Sequence, residues 1–569
     1  MINQHLHSTL KVRLLAEFSL FLSFLVLLGC AAQGPPSGGP EDKTPPVLLL
    51  VAPQDGSTNV PPDATFEFYF NEAIEARSTV GTLQVYPEPP GAPQIKVRKK
   101  RITVGFVEPL EENTTYILNF GHSIQDYRKN NSVEEVKLAF STGDSLDQGS
   151  IAGRIFDLPK EYNAVVRAYR GNADFTDTLH TTKPDYQAAI NRSGEYTLGN
   201  LAEGKYRVIA IASKSPRINF IGAEDLIGLP PTDPLFIRNR RDRVSGLNFR
   251  LGKQYLEPFG LKTVAVNAGR IEVNFNQPLK PESVSGASFS LDNQPLADVQ
   301  PRWIDPEQSS RLLLIPQDPE AGREYRLRVA GVKSLAGDLQ PETEREYPFT
   351  WRAVTDTIGP RLFGSRPKNA AADIPLNSPI ELTFSEAVRG DTLERDVTFW
   401  KNDSIALAGL VQWTGGNLLR LVPEAELVSD TDYKLVVDSH DWTDYYGNPC
   451  ADSTFTLRFR TVDVEKYGSL AGRVTMNAGV DLQGIRIEAV SATDAKSAGV
   501  ASADSSGVFE IRQLLPGEYT LNVWEERGGS DQYDYGKLIP FTIAEPFRNY
   551  PRSIELRSRW ATEGIILEY

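Results

Sequence analysis

The sequence of 569 residues predicts an all-β protein, built as a tandem array of small β-sandwich modules. Polar and apolar residues alternate in many segments, as around Phe66, Phe68 and Phe70, which is typical of strands with one face in a core. The 39 prolines and 44 glycines are spread along the chain and favour short strands joined by turns. Several segments recur within the sequence, which indicates repeated modules. At roughly 100–200 residues per domain, the length predicts about three to six domains.

Residues 1–29 are predicted to be an export signal that is removed from the mature chain. The apolar run at 18–28 would rise only about 16 Å as a helix and could not span a bilayer core of ~30 Å. The run leads into the residues LLGC at 27–30, which resemble the lipobox of bacterial lipoproteins. That resemblance implies that Cys30 is lipidated and becomes the new N-terminus. The alternative is an ordinary signal peptide followed by a chance cysteine.

Residues 30–46 are predicted to form a flexible tether, because they are rich in proline and glycine and have no apolar periodicity. Ala31 is not the aspartate that retains lipoproteins at the inner membrane in well-studied Gram-negative sorting. Surface-exported lipoproteins of the Bacteroidota carry acidic residues right after the cysteine, but here the first are Glu41 and Asp42. By this resemblance we expect a lipid anchor in the outer membrane, with the periplasmic face favoured over the cell surface.

One type of module occurs in three copies. Residues 53–74 match residues 367–388 without a gap, and a weaker third copy runs through residues 271–275. The shared pattern, a proline-rich lead, an IELTF-type strand and a threonine-terminated strand, resembles bacterial Ig-like domains of the surface-layer-protein type. The Ig-like domains implied by the resemblance span 47–146, 254–353 (a divergent copy) and 354–464.

A second type of module follows each of the outer copies. Residues 191–209 match residues 504–522 in a pattern that contains a Ser-Gly turn and a tyrosine, Tyr206 or Tyr519. The pattern resembles carboxypeptidase-regulatory-like domains, which have a transthyretin-like β-sandwich fold, and the resemblance implies that both tyrosines fill a core. The domains predicted from it are 147–253 and 465–569. Both module types imply a fold more than a function, because such modules serve many proteins.

Composition excludes several classes of function. The formal net charge of -14 excludes general electrostatic attraction to nucleic acid. The two cysteines and five histidines exclude a cysteine-rich zinc site and a disulfide framework. We therefore predict no cofactor.

One motif has the form of an enzyme's nucleophile block. Residues 143–146 spell GDSL, as in the GDSL esterases, and Asp177 and His180 mimic the Asp-x-x-His element of that family. In such an enzyme Ser145 would attack an acyl carbon while the histidine removed its proton. The internal duplication argues against this, because the sister copy has VDV at 462–464 in place of the serine segment. We therefore predict no enzymatic activity and keep an esterase using Ser145 as a remote alternative.

The loop at 438–450 carries three aromatic residues, Trp442, Tyr445 and Tyr446. Exposed aromatic rings stack on sugars and anchor protein partners, so this loop is our candidate site for a glycan or a partner. Packing of the same rings at the end of the sandwich is the alternative.

The same loop offers Asp438, Asp441 and Asp444 as hard oxygen ligands, which makes it a weak calcium candidate. Their spacing does not match the alternating carboxylates of an EF-hand, and polar residues that cap turns are the alternative. No other metal site is predicted. Cys450, which with Cys30 makes up the mature chain's cysteines, is predicted to be a plain loop thiol.

Basic residues cluster at 96–101 and 238–243, where they could meet anionic lipid or polysaccharide or could be a solvated strand edge. Taken together, these features predict a non-catalytic lipoprotein of the cell envelope that acts as a multi-domain scaffold, spacer or binding module. Its expected partners are the membrane, through the lipid on Cys30, and an envelope protein or polysaccharide. A surface adhesin or carbohydrate-binding lipoprotein is the alternative function.

Overall fold

The structure, a computed structural model, describes residues 43–569 except for short segments within that range. The excepted segments are 172–178, 216–217, 219–220, 268–269, 281–282, 285, 293, 296–301, 304–309, 315–319, 336–345, 353–355, 387, 390–393, 415–416, 445, 477–481, 494–496 and 529–531. The described elements are mostly β-strands with short 3₁₀ helices, which confirms the predicted all-β fold. No helix among the described residues is both long and apolar enough to cross a bilayer. The chain divides into two compact units, the first ending at Asp147 and the second starting at Gln148.

Two sheets enclose the core of the first unit. Its strands are β1 (Leu48–Ala52), β2 (Phe66–Phe70), β3 (Gln84–Tyr86), β4 (Pro93–Arg98), β5 (Arg101–Phe106), β6 (Thr115–Gly121) and β7 (Val136–Ser141), with a 3₁₀ helix at Ala76–Thr79. The strand order is β1-β2-β5-β4 in one sheet and β3-β6-β7 in the other. Phe66, Phe68 and Phe70 are buried while Glu67 and Tyr69 are half-buried, so the alternation predicted for this strand is confirmed.

The second unit begins with a module of short strands in two sheets. The strands are β8 (Gly149–Phe156), β9 (Asn163–Arg170), β10 (Tyr186–Ala189), β11 (Glu195–Leu201), β12 (Gly204–Ser213), β13 (Leu226–Gly228), β14 (Leu235–Ile237), β15 (Arg243–Val244), β16 (Phe249–Arg250) and β17 (Gly252–Lys253). One sheet has the order β10-β9-β12-β13-β17 with β14 beside β12, and the other has β11-β8-β15 with β16 beside β8.

The next two segments also form pairs of sheets. The first contains β18 (Leu261–Asn267), β19 (Arg270–Phe275), β20 (Ser288–Leu291), β21 (Gln294–Pro295), β22 (Arg302–Trp303), β23 (Arg311–Leu314), β24 (Glu324–Ala330) and β25 (Tyr347–Thr350). Its sheets have the orders β18-β19-β23-β22 and β21-β20-β24-β25. The second contains β26 (Leu362–Arg366), β27 (Ala371–Ile374), β28 (Ile380–Phe384), β29 (Val397–Lys401), β30 (Ile405–Leu407), β31 (Gly409–Thr414), β32 (Leu418–Pro423), β33 (Asp432–Asp438) and β34 (Thr454–Thr461). Its sheets have the orders β26-β28-β32-β31 and β27-β34-β33-β29-β30.

The last segment again pairs two sheets. Its strands are β35 (Gly468–Thr475), β36 (Ile485–Ser491), β37 (Ser497–Ser502), β38 (Val508–Leu514), β39 (Gly517–Glu525), β40 (Phe547–Leu556) and β41 (Ala561–Glu568), and 3₁₀ helices span Val464–Lys466 and Leu482–Gly484. The orders are β38-β35-β41 and β37-β36-β39-β40. Tyr519 here and Tyr206 in the sister module are both buried, and each hydroxyl donates to the carbonyl four residues earlier at 2.6 and 2.7 Å. The predicted core-filling role of these tyrosines is confirmed.

Three tyrosines make the same hydrogen bond in three different segments. The hydroxyls of Tyr116, Tyr325 and Tyr433 each accept from the backbone N–H five residues earlier, at 3.1, 2.9 and 2.8 Å. A tyrosine that bonds back to the preceding backbone near the start of a strand is the tyrosine corner of Ig-like sandwiches. Its occurrence at Tyr325 supports an Ig-like fold for the divergent copy at 254–353.

A cross-strand ion pair recurs in the same three segments. In each of them a glutamate follows the first apolar residue of the strand and meets an arginine on the neighbouring strand. The pairs are Glu67 with Arg101, Glu272 with Arg311, and Glu381 with Arg420. Opposite charges on adjacent strands stabilise one register, so these pairs help to hold the two strands of each sheet in register.

The two modules of the second type pack against each other within the second unit. The Gln254 amide accepts from the Leu538 N–H at 3.0 Å and donates to the Gly536 carbonyl at 3.2 Å. The Arg207 guanidinium lies 3.6 Å from the centroid of the Phe541 ring. A shared buried cluster contains residues of both modules, namely Tyr169, Leu179, Ile209, Ile211, Ile218, Ile221, Ile227, Leu229, Leu538 and Ala544. Two modules that are far apart in the sequence therefore share one core.

Candidate functional site

Trp442 lies in the core of its module, which corrects the prediction that it binds a glycan or a partner. Its side chain is 0% exposed, and its ring packs against Phe384 and Trp413 at centroid distances of 5.8 and 5.5 Å. The indole N–H donates to Asp396 Oδ2 at 2.8 Å. Burial of a tryptophan ring is favourable when its N–H finds a hydrogen-bond acceptor, and Asp396 is that acceptor here.

Of the other two aromatic residues of the loop, Tyr446 is described by the structure and Tyr445 is not. Tyr446 is 46% exposed, and its backbone N–H donates to Asp444 Oδ1 at 2.7 Å. Tyr445 lies outside the described residues. Of the predicted aromatic trio, Tyr446 alone is thus described as open to solvent, and its binding role stays a prediction.

The three aspartates weighed as calcium ligands do not form one site. Asp438 and Asp441 are exposed, whereas Asp444 is 2% exposed. Asp438 Oδ1 accepts from the His440 N–H at 3.2 Å. The calcium candidate is corrected because Asp444 points into the module while its two neighbours remain in solvent.

Asp444 holds the turn that follows it. Its Oδ1 accepts from the Tyr446 and Asn448 N–H groups at 2.7 and 2.8 Å, and its Oδ2 accepts from the Asn448 side chain at 2.7 Å. The first unit repeats this arrangement, because Asp126 accepts from the Asn130 N–H and the Asn130 side chain, both at 2.8 Å. An aspartate four residues before an asparagine was the signal in the sequence that could have revealed it.

Asp444 also belongs to a cluster of three buried carboxylates. Oxygen atoms of Asp356, Glu386 and Asp444 all lie within 4.8 Å of one another, and the side chains are hard oxygen donors of the kind that bind Ca²⁺ or Mg²⁺. This cluster gives no local signal in the sequence, since its members are separated by up to 88 positions. In the divergent copy Gln277 takes the place of Glu386 and donates to the Glu257 carbonyl at 3.1 Å. The divergent copy therefore has a neutral amide at the position of this carboxylate. We assign no metal to the cluster.

Cys450 is half-buried beside the same carboxylates. Burial, together with the charges of Glu386, Asp444 and Asp452, raises the pKa of its thiol to about 11. The thiolate is the reactive form of cysteine, so this environment suppresses nucleophilic chemistry near neutral pH. The expected plain thiol agrees with these surroundings.

Ser145 has a partner of its own in the connector. Its hydroxyl donates to Asp144 Oδ1 at 2.8 Å, and the bond is exposed to solvent. His180 lies in the second unit with its Nδ1 buried and without a hydrogen bond among the described atoms, and Asp177 lies outside the described residues. A histidine base would have to lie within hydrogen-bond reach of the serine, directly or through one water, and the hydrogen bond described for the hydroxyl goes to the neighbouring carboxylate.

A groove of about 350 Å³ lies where β27 pairs with β34. Its charged side chains are paired with one another or with neighbours. Asp403 contacts Lys434 at 2.7 Å and Arg458 at 2.9 Å, and hydrogen bonds from these two side chains lower the pKa of Asp403. Arg460 likewise contacts Asp430 and Asp432. Because these charges compensate one another, the groove has little to attract an ionic ligand.

Two segments of the chain match a family model. Residues 42–142 and 356–461 match the model of the bacterial Ig-like domain. Both segments have an Ig-like fold and are similar to this family. Together they make up just over a third of the chain, and each contains one of the tyrosine corners, at Tyr116 and Tyr433. Domains of this family are typically non-catalytic.

Solved structures resemble parts of the chain weakly. The L,D-transpeptidase LdtMt1 in complex with imipenem is 15% identical over 27% of this chain and 51% of that chain, with a TM-score of 0.15. L,D-transpeptidase 3 from Mycobacterium tuberculosis is 14% identical over 26% of this chain and 46% of that chain, with a TM-score of 0.14. The N-terminal part of the bacterial S-layer protein SbsC is 13% identical over 35% of this chain and 44% of that chain, with a TM-score of 0.17.

The present chain spans about half the length of each of these two transpeptidases. At such TM-scores the similarities support no conclusion about what this chain does. No curated protein matches the chain significantly.

Proposed function

We propose that this chain is a non-catalytic lipoprotein of a bacterial cell envelope that acts as a multi-domain scaffold, spacer or binding module. Lipid on Cys30 would anchor it in the outer membrane, on the periplasmic face. The observation that carries the proposal is the pair of bacterial Ig-like domains at 42–142 and 356–461, since this family is typically non-catalytic.

The environments of the candidate reactive and ligand-binding side chains support a structural role. Trp442 fills a core, Asp444 holds a turn, and the pKa of Cys450 is raised to about 11. The hydroxyl of Ser145 bonds to its neighbour Asp144. In the described part of the chain, each of these groups contributes to packing, turn formation or local hydrogen bonding.

The mutual packing of residues 148–256 and 468–569 also favours a scaffold. Here the shared core and the hydrogen bonds of Gln254 join two modules from distant parts of the sequence. A spacer needs fixed relations between its modules, and a buried core supplies them better than flexible linkers do. The partner that such a scaffold would hold is an envelope protein or polysaccharide, and the net charge of -14 argues against nucleic acid.

Lipid attachment is tested by the intact mass of the protein purified from bacterial membranes. We expect a chain that starts at residue 30 and is heavier than its sequence by the mass of the attached acyl groups. The Cys30→Ser variant should lose the extra mass and leave the membrane fraction. A wild-type chain with no added mass would remove the lipoprotein part of the proposal.

The non-catalytic role is tested with the purified chain from residue 31 onward. We expect no hydrolysis of short-chain p-nitrophenyl esters above that of the Ser145→Ala variant. Ester hydrolysis that disappears in Ser145→Ala would instead establish the esterase alternative. Protease treatment of whole cells separates the two faces, because a periplasmic chain stays intact while a surface chain is cut.

The adhesin alternative now depends on Tyr446, because Trp442 is buried. Binding to a glycan array that is lost in Tyr446→Ala would favour it over the scaffold. The Asp441→Ala variant, in the same loop and also exposed, is the matched control.

A further inference from the structure

The β4–β5 hairpin of the first unit carries an unusual run of cations. Lys96, Arg98, Lys99 and Lys100 are all exposed, and none of them forms an ion pair with a described acidic side chain. Arg98 lies directly opposite Arg101 in the register of the hairpin. Like charges placed opposite each other destabilise a sheet, so the hairpin retains these cations at a cost to its stability.

The fold does not require this charge. The corresponding hairpin of the second Ig-like domain, β31–β32, has the sequence QWTGGNLLR at 412–420, where arginine occurs only at the end. That terminal arginine, Arg420, is the one paired with Glu381. Arg101 is likewise paired with Glu67, although it lies opposite Tyr69 in the register and so reaches the glutamate diagonally. The cations that precede Arg101 are therefore additional to the shared architecture and belong to the domain nearest the N-terminus.

The register of the sheet brings apolar and aromatic groups to the same outer face. Leu50 pairs with Tyr69, Tyr69 with Arg101, and Arg101 with Arg98, which makes one row across the four strands. Leu50 is 51% exposed and its neighbour Leu49 is 65% exposed. Exposed leucines beside a tyrosine and several cations are typical of surfaces that lie at a bilayer interface.

The entry point of the tether lies at the same end of the sheet. The Val47 N–H donates to Asn71 Oδ1 at 2.7 Å, and the Lys100 ammonium donates to the carbonyl of the same asparagine at 2.6 Å. The chain therefore enters the domain next to the basic hairpin. The thirteen steps from Cys30 to Lys43 can span at most about 45 Å, so a lipid on Cys30 would keep this end close to the bilayer.

We propose that this face, defined by Leu49, Leu50, Tyr69 and the cations of the β4–β5 hairpin, docks on the anionic phospholipid surface of the membrane that anchors the chain. The proposal rests on the lipid anchor at Cys30 for its geometry. The chain as a whole carries a net charge of -14 and is repelled by such a surface, so a local basic face would also determine which end approaches it. The lipid holds the protein at the membrane, and the docked face orients the first domain on it.

The test uses the chain from residue 31 onward, which keeps every described residue and lacks the lipid. It is mixed with vesicles of phosphatidylcholine alone or with 30% phosphatidylglycerol (a composition chosen to carry about the charge of a bacterial leaflet), and the bound fraction is measured by flotation. We expect binding to the anionic vesicles that falls as salt rises, and none to the neutral ones.

The decisive variant is Lys96→Gln/Arg98→Gln/Lys99→Gln. Each cation near an anionic surface contributes about a fivefold gain in partitioning, so the triple variant should bind roughly 100-fold more weakly. The matched control, Arg238→Gln/Arg241→Gln/Arg243→Gln, removes the same charge from exposed positions of the other basic cluster and should bind like the wild type.

Equal losses in both triple variants would show that only net charge matters and would overturn the proposal. Binding to an anionic polysaccharide but not to anionic vesicles would overturn it in favour of a polysaccharide site. Because the tested chain has no lipid, these outcomes are independent of the mass measurement on Cys30. Failure of the anchor and failure of the docking face can therefore be distinguished.

Discussion

Arg250 forms an ion pair with Glu488 across 238 positions of the chain, with Nη1 3.4 Å from Oε2. The guanidinium is buried, and its Nε also donates to Asp157 Oδ2 at 2.7 Å. The rings of Tyr533 and Tyr535 lie on the same cation, 4.8 and 5.8 Å from their centroids. Burial, the largest single effect, disfavours the charged form, but the charge and hydrogen bond of Asp157 act together with Tyr535 and Glu488 and raise the pKa of Arg250. One side chain thus joins two modules of the second unit.

Removing the Arg250 cation should weaken the packing between the two modules that it joins. Arg250→Ala leaves the carboxylate of Glu488, which is 13% exposed, without its cation, and we expect a loss of about 3 kcal/mol in the stability of the packed pair. Hydrogen–deuterium exchange of peptides from 247–256 and 533–547 measures it, and both should lose protection together. The control Arg557→Ala removes a pair with Glu555 that is mostly exposed and should change protection little. Equal protection in the two variants would contradict a structural role for the Arg250 contact.

Trp442→Ala should destabilise the second Ig-like domain. The ring is fully buried against Phe384 and Trp413, and a cavity of that size costs about 3–5 kcal/mol. The same change also leaves Asp396 without its indole donor. Exchange protection of strand β33 reports the effect, and Tyr446→Ala in the same loop is the exposed control. Unchanged protection in Trp442→Ala would mean that the ring is not part of the core.

Asp444→Ala should unfold the turn that follows the aspartate. The N–H groups of Tyr446 and Asn448 lose a charged acceptor, and hydrogen bonds to a charged group contribute about 1.5–3 kcal/mol. Susceptibility of this loop to a protease should rise, and Asp126→Ala should have the same effect in the first unit. The exposed neighbour Asp441 provides the control, since Asp441→Ala should be cut no faster than the wild type. A similar rate of cutting in all the variants would show that the turn does not depend on its aspartate.

The thiol of Cys450 should react slowly in the folded chain. Its pKa is raised to about 11 from an ordinary value of 9.0, so at pH 8 the thiolate fraction is about 100-fold lower than in the unfolded chain. Alkylation by iodoacetamide of the chain from residue 31 onward, whose only cysteine is Cys450, measures the rate. The rate should rise with pH toward about 11, and urea should abolish the difference. The direction of linkage is that this thiol favours the folded state below pH 9 and loses that contribution as the pH rises toward 11.

The strands and their inward faces could be predicted to a large extent from the sequence. Phe66, Phe68 and Phe70 alternate because the side-chain period of a strand is two, and that signal needs only neighbouring residues. The alternation was less informative at β28, where Glu381 and Thr383 between the apolar residues are buried as well. There the outer face is covered by the side chain of Arg420, which meets Glu381. Burial of this kind depends on a side chain from a neighbouring strand, so it leaves no periodic pattern in the sequence of the buried strand.

The candidate site could be predicted only in part. The sequence singled out the loop at 438–450, but it could not tell which of its aromatic side chains turns inward. Trp442 lies in the core, where its ring packs on Phe384 and Trp413 and its indole N–H donates to Asp396, 46 positions away. In the sequence Asp444 lies beside the exposed Asp441, whereas its spatial neighbours are Asp356 and Glu386. Proximity in a loop does not reveal proximity in a folded module.

The sequence by itself determined the all-β class and the repeated modules, because composition, periodicity and repetition are properties of contiguous residues. Only the tertiary structure decided that Trp442 is buried, that three distant carboxylates meet, and that Arg250 reaches Glu488. It also decided that Leu50, Tyr69 and Arg98 share one row of a sheet. The physical reason is that these contacts depend on how strands pair and modules pack across long separations, where local patterns carry no information about the partner.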